Sequence, residues 1–121
     1  MARHDLDRFT AAYADAALAN SMDDDGAPLR VHGLESLAPE TVRRMRVDCA
    51  NFRLEAGDIA DEFGVVDVAS DFWMERNQRP FGGFFDGDYP RPAATELTQV
   101  ARRFPPSELY LDDDDGRIRS R

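Results

Sequence analysis

The chain has 121 residues and carries 24 carboxylates against 15 cations, for a net charge of −9. This length supports a single domain, expected over residues 1–121, that buries roughly 65% of its unfolded surface without staples. The sign of the charge speaks against direct binding to nucleic acid or anionic lipid, and no run of about 18 apolar residues exists to form a spanning helix.

The N-terminus turns acidic within Met1–Asp5 and lacks an apolar stretch, so secretion is not expected. The single Cys49 excludes an internal disulfide, and with two histidines a Cys/His zinc set is not expected. Residues 5–20 read as an amphipathic helix with Leu6, Phe9, Tyr13, Ala16 and Asn20 on one stripe. Ser21 to Pro28 is a turn-rich break. A second helix opens at Pro39-Glu40 and carries Val42, Met45, Cys49, Phe52 and Ala56 as its apolar stripe. Gly57 is its natural stop, and arginines 43, 44, 46 and 53 line its other faces.

Asp58 to Phe63 reads as a short helical turn, and Asp67 as the N-cap of a helix through Arg76 that buries Val68 and Phe72. The Gly-, Pro- and aromatic-rich residues 77–92 are expected to include a strand from Phe81 to Phe85. Pro92 starts a further helix with Ala94, Leu97, Val100, Ala101 and Phe104 inward, ended by Pro105-Pro106. The segment Glu108–Arg119 reads as a hairpin turning at Asp115-Gly116 in a two-residue type I′ turn. The expected fold is therefore α+β: about four helices packed on a small two- to three-stranded antiparallel sheet.

Tests for chemistry come out negative. An EF-hand loop with Gly26 at its sixth position would need Glu where His32 stands, and one built on Gly116 begins at Leu111. Cys49 lies on an apolar stripe, where a thiol serves as a small hydrophobe. Asp71, Glu75, Asp86 and Asp88 offer a carboxylate pair only in the sense that any chain with 24 acids does. No Gly-rich loop has phosphate-binding spacing. No catalytic residue, metal or cofactor is expected.

Two features remain. Residues 58–78 hold six acids and one arginine, and Asp67, Asp71 and Glu75 step four apart, which on a helix makes one anionic ridge. From Phe72 to Tyr89 the chain is dense in aromatics, and Trp73 beside Phe72 suggests an exposed aromatic knob with acidic neighbours.

The whole chain resembles a widespread family of small, uncharacterised bacteriophage and prophage proteins. The resemblance is carried by Asp71, Phe72, Trp73, Arg76 and Asn77, by Gly83, Phe84, Phe85 and Asp86, and by Leu109, Tyr110, Asp114, Asp115 and Gly116. The chain departs from that pattern at Glu75, where the family has Thr, and in the turn around Phe81, which lacks the family's His. The resemblance implies a phage setting and no reaction. It leads to the expectation of a non-enzymatic accessory protein in the host cytoplasm. Such a protein would inhibit a host nucleic-acid-handling defence protein, of anti-CRISPR or anti-restriction type, by mimicking nucleic-acid charge. The expected partner surface comprises Asp58, Asp61, Glu62, Asp67, Asp71, Glu75, Asp86 and Asp88 with Trp73 and Phe84. The alternative is a phage structural or regulatory module that binds through the aromatic corner. The charge-balanced, Arg-rich second helix leaves a homodimer open.

Overall fold

The computed structural model describes residues 6–80 and 82–121, and the fold is α+β. Five helices are formed: α1 Arg8–Ala19, α2 Pro39–Ala56, α3 Asp58–Asp61, α4 Val65–Arg76 and α5 Arg91–Ala101. An antiparallel hairpin follows, β1 Leu109–Asp112 with β2 Arg117–Ser120, paired Leu109↔Ser120 to Asp112↔Arg117. Two short 3₁₀ turns, Leu29–His32 and Leu34–Ser36, bridge α1 and α2. Among the described residues no helix is long and apolar enough to cross a membrane.

Helix α2 has the bounds and the stripe its sequence suggests. Pro39 sits in its first turn, Gly57 ends it at φ +64°, and Val42, Met45, Cys49, Phe52 and Ala56 are buried. Burial pushes the Cys49 thiol up to about 12, so it is inert in the folded protein. Helix α1 is capped by Asp7, whose carboxylate accepts from the Thr10 N–H. Its buried face is Phe9, Thr10, Tyr13, Ala14, Ala17 and Leu18 rather than a stripe reaching Asn20, which is exposed at the C-cap. The expected start at residue 5 lies outside the described residues.

The centre of the core is a ring stack assembled from distant segments. Phe52 of α2 lies 4.1 Å from Phe72 of α4 with the planes nearly parallel, and Phe9 and Phe84 flank Phe52 at 6.1 and 6.2 Å. Phe104 meets Phe72 edge-on at 5.1 Å just beyond α5. Offset and edge-to-face contacts of this kind each add about 0.5–1.5 kcal/mol beyond burial.

Three expectations are corrected. Asp67 stands in the first turn of α4, and Gly64 is the N-cap. Residues 82–85 form no strand, because Gly82 and Gly83 both take positive φ and turn the chain sharply; Phe81 lies outside the described residues. The hairpin connection is four residues, 113–116, with Gly116 alone at positive φ. The side chains of Asp112 and Asp115 accept from the N–H groups of Asp114 and Arg117, and the Arg119 guanidinium then bonds both carboxylates and Glu40. That polar knot fits a wider loop better than a two-residue turn.

The hairpin docks on the start of α2. The Ile118 carbonyl accepts from the Ala38 N–H at 2.9 Å and from the Thr41 hydroxyl at 3.1 Å, and the Ile118 side chain is buried.

Candidate functional site

Asp58 and Asp61 lie on α3, Glu62 follows it, and Asp67, Asp71 and Glu75 lie on α4, with no cation between Asp58 and Glu75. Asp58, Asp61, Glu62, Asp67, Asp86 and Asp88 are exposed. Asp61 is 3.7 Å from Arg53, an exposed pair of little energetic weight.

The segment after α4 folds back over this helix. Gly83, at φ +87°, passes so close that a Cβ there would meet the Glu75 carboxylate at 2.5 Å. This return closes a cleft of about 360 Å³ in which Asp67 and Asp71 face Asp88, between the rings of Phe63 and Tyr89. The two rings meet edge-on at 5.0 Å. The Tyr89 hydroxyl donates to Asp71 at 2.8 Å.

Burial raises the Asp71 carboxyl above its ordinary range; the Tyr89 hydroxyl and the Gly83 N–H hold it down only in part, and Asp67 and Glu75 push the same way as burial. Burial, followed by the bond to Asp71, raises the Tyr89 phenol. A carboxyl raised in the folded state contributes stability below its unfolded pKa and loses it as pH climbs through the folded value. Asp71→Asn keeps an oxygen to accept from Tyr89 and removes the buried charge. It is expected to melt a few degrees higher than wild type at pH 7, with the gain vanishing as pH falls below 3.8, followed by thermal melts across that range. A variant less stable at pH 7 would show that the hydrogen bonds to the carboxylate outweigh its burial.

The expected ridge is cut at one end. Glu75 is buried and bonded to Arg102 at 2.8 Å, so it is withdrawn from any docking surface. Asp86 accepts from the Gly82 N–H at 2.9 Å and holds the loop, while remaining exposed. Trp73 and Phe84 are both 0% exposed and are corrected from partner-binding to core residues. Adjacent helix positions can both be buried here because α4 is enclosed over an arc of roughly 160°, from Glu75 through Val68, Phe72 and Arg76 to Trp73. The exposed aromatic at this corner is Phe85, 56% exposed, beside an open groove of about 640 Å³ lined by Arg79, Pro80, Gln99, Arg102 and Arg103.

Arg76 and Asn77, which the sequence offered only as part of a motif, hold the chain after α5. The Arg76 guanidinium is 3% exposed and donates to Asp48 at 2.9 Å, to the Tyr13 hydroxyl at 3.0 Å and twice to the Pro105 carbonyl. Asn77 accepts from the Ser107 N–H at 2.7 Å. With Phe72 and Trp73 in the core and Asp71 bracing Tyr89, each residue of the Asp-Phe-Trp-x-x-Arg-Asn motif has a structural task.

Among the described residues no group of three His, Cys, Asp or Glu side chains is arranged to hold a metal ion. The three carboxylates and two rings of the cleft suit an organic cation such as a guanidinium, which can bond carboxylates and lie against an aromatic face. The Phe63 and Tyr89 walls were missed at the level of sequence, because only the fold-back through Gly87 brings Tyr89 to a helix 18 residues earlier. No known protein family, curated protein or solved structure matches the chain.

Proposed function

We propose that the protein is a phage-encoded accessory protein that acts in the host cytoplasm, binding and inhibiting a host nucleic-acid-handling defence protein of anti-CRISPR or anti-restriction type. Its acidic face fills a basic groove that otherwise holds phosphates. One observation carries this reading. The arginines are committed internally to Glu40, Asp48, Glu55, Glu75, Glu108, Asp112 and Asp115. Asp58, Glu62, Asp67 and Asp88 are exposed and have no ion pair among the described residues. Charge left uncompensated on one face, on a chain that neutralises it elsewhere, suits a basic partner. The setting rests on the phage-family resemblance.

The test is affinity capture from nuclease-treated bacterial lysate at low and high salt, with wild type beside a Glu62→Gln/Asp67→Asn/Asp88→Asn variant. Wild type is expected to retain a basic nucleic-acid-handling protein at low salt and release it at high salt, and the triple variant to bind it about tenfold or more weakly. Capture that ignores salt and the triple variant, but fails for Phe85→Ala, would favour the second reading. That reading is a phage structural or regulatory module whose exposed Phe85 is the anchor.

A further inference from the structure

Helix α2 buries one face and leaves the opposite face bare. Thr41, Met45, Cys49, Phe52 and Ala56 turn inward, while Arg43, Val47, Ala50 and Leu54 follow one another outside at four-, three- and four-residue steps. At 100° per residue those four positions fall within about 60° of one another. Val47 is 57% exposed, and Leu54, at 81%, is the most exposed large apolar side chain among the described residues. Two apolar side chains with a small one between them make the kind of seam that a second helix fills. Charge on this face is graded along the axis. Arg43 and Arg44 lie in the N-terminal half, with Glu55 at the C-terminal end and Asp58 immediately beyond it.

We infer that the chain self-associates through this face, with α2 packed antiparallel on α2 of a second copy about a two-fold axis near Ala50. Val47 then meets Leu54 of the partner subunit, and Arg43 and Arg44 meet Asp58 and Glu55 of the partner subunit, each contact made twice by symmetry. A parallel pairing would set Arg43 and Arg44 against themselves, so charge selects both the occupant and its direction. On the flank, Arg53 is already engaged over the Phe9 ring and near Asp7 and Asp61. The bond between Arg103 and Glu55 is exposed and can rearrange at small cost. Helix α2 is about 27 Å long, so the interface lies at the small end of specific ones and the dimer is concentration-dependent.

Sedimentation velocity of the full chain from about 1 μM to about 1 mM tests this. The mass is expected to rise from 13.6 kDa towards twice that value. Leu54→Glu, at an exposed site that leaves the circular dichroism unchanged, is expected to weaken association by at least about tenfold. Arg44→Glu weakens it as well, and Arg44→Glu/Glu55→Arg restores it. A monomer at every concentration, or a dimer that ignores Leu54→Glu, overturns the inference; a dimer lost with Leu54→Glu but indifferent to charge reversal overturns the antiparallel pairing. None of these readouts involves a host partner, so the result stands apart from the proposed function.

Discussion

Replacing Arg76 with methionine is expected to lower the stability of the domain by about 3–5 kcal/mol, the cost of removing one member of a buried charge network. The size follows from what is left behind. Asp48 loses its cation, the Tyr13 hydroxyl its donor, and the Pro105 carbonyl two N–H groups at once. The guanidinium also lies 5.5 Å from the centres of the Phe72 and Phe104 rings, so methionine must fill the space of a planar group that stacks as well as bonds. Arg76→Lys is expected to recover only part of the loss, because an ammonium cannot address Asp48, Tyr13 and Pro105 with a rigid fork. Urea unfolding of the three proteins checks both statements. An Arg76→Met variant within about 1 kcal/mol of wild type would show that the network is worth no more than an ordinary surface pair.

Trp73→Ala is expected to cost about 3–5 kcal/mol, as truncation of a buried aromatic does. The indole is fully buried, and the Arg79 guanidinium sits 4.9 Å from its ring centre. A binding assay on this variant would therefore report unfolding and not a lost contact. Phe85→Ala is the proper probe of the aromatic corner, with an expected stability change within about 0.5 kcal/mol. Trp73→Phe should fall between the two. Denaturation midpoints for the three substitutions decide the order, and near-neutral behaviour of Trp73→Ala would contradict the packing around α4.

Where local rules govern, the fold was legible. Helix α2 needed only Pro39, Gly57 and a stripe at helical spacing, and α5 only its apolar positions and the prolines after it. Failures came where remote segments decide. Trp73 looked like a surplus aromatic because one buried stripe was assumed for α4, whereas return of the chain through Pro105 and Ser107 to Arg76 and Asn77 helps enclose a second side. Aromatics around Gly82-Gly83 read as a strand, but two successive positive-φ glycines allow only a turn there. The acidic cleft was half legible. Asp67, Asp71 and Asp88 were all named, yet nothing local reveals that Gly83 lets the loop lie against Glu75 and takes that carboxylate off the surface.

The docking of Ile118 on Ala38 and Thr41 has a consequence for how the protein is made. Helix α2 has no side-chain cap of its own at Ala38, and the carbonyl that anchors its first turn belongs to a residue synthesised long after Ala56. At about 5–20 residues per second, the nascent helix waits about 3–12 s on the ribosome before Ile118 is even polymerised. During that interval its apolar stripe lacks one of its neighbours, and a prematurely terminated product never acquires it. Nascent chains stopped before β2 should therefore stay protease-sensitive and be cleared quickly, leaving full-length protein as the species that accumulates.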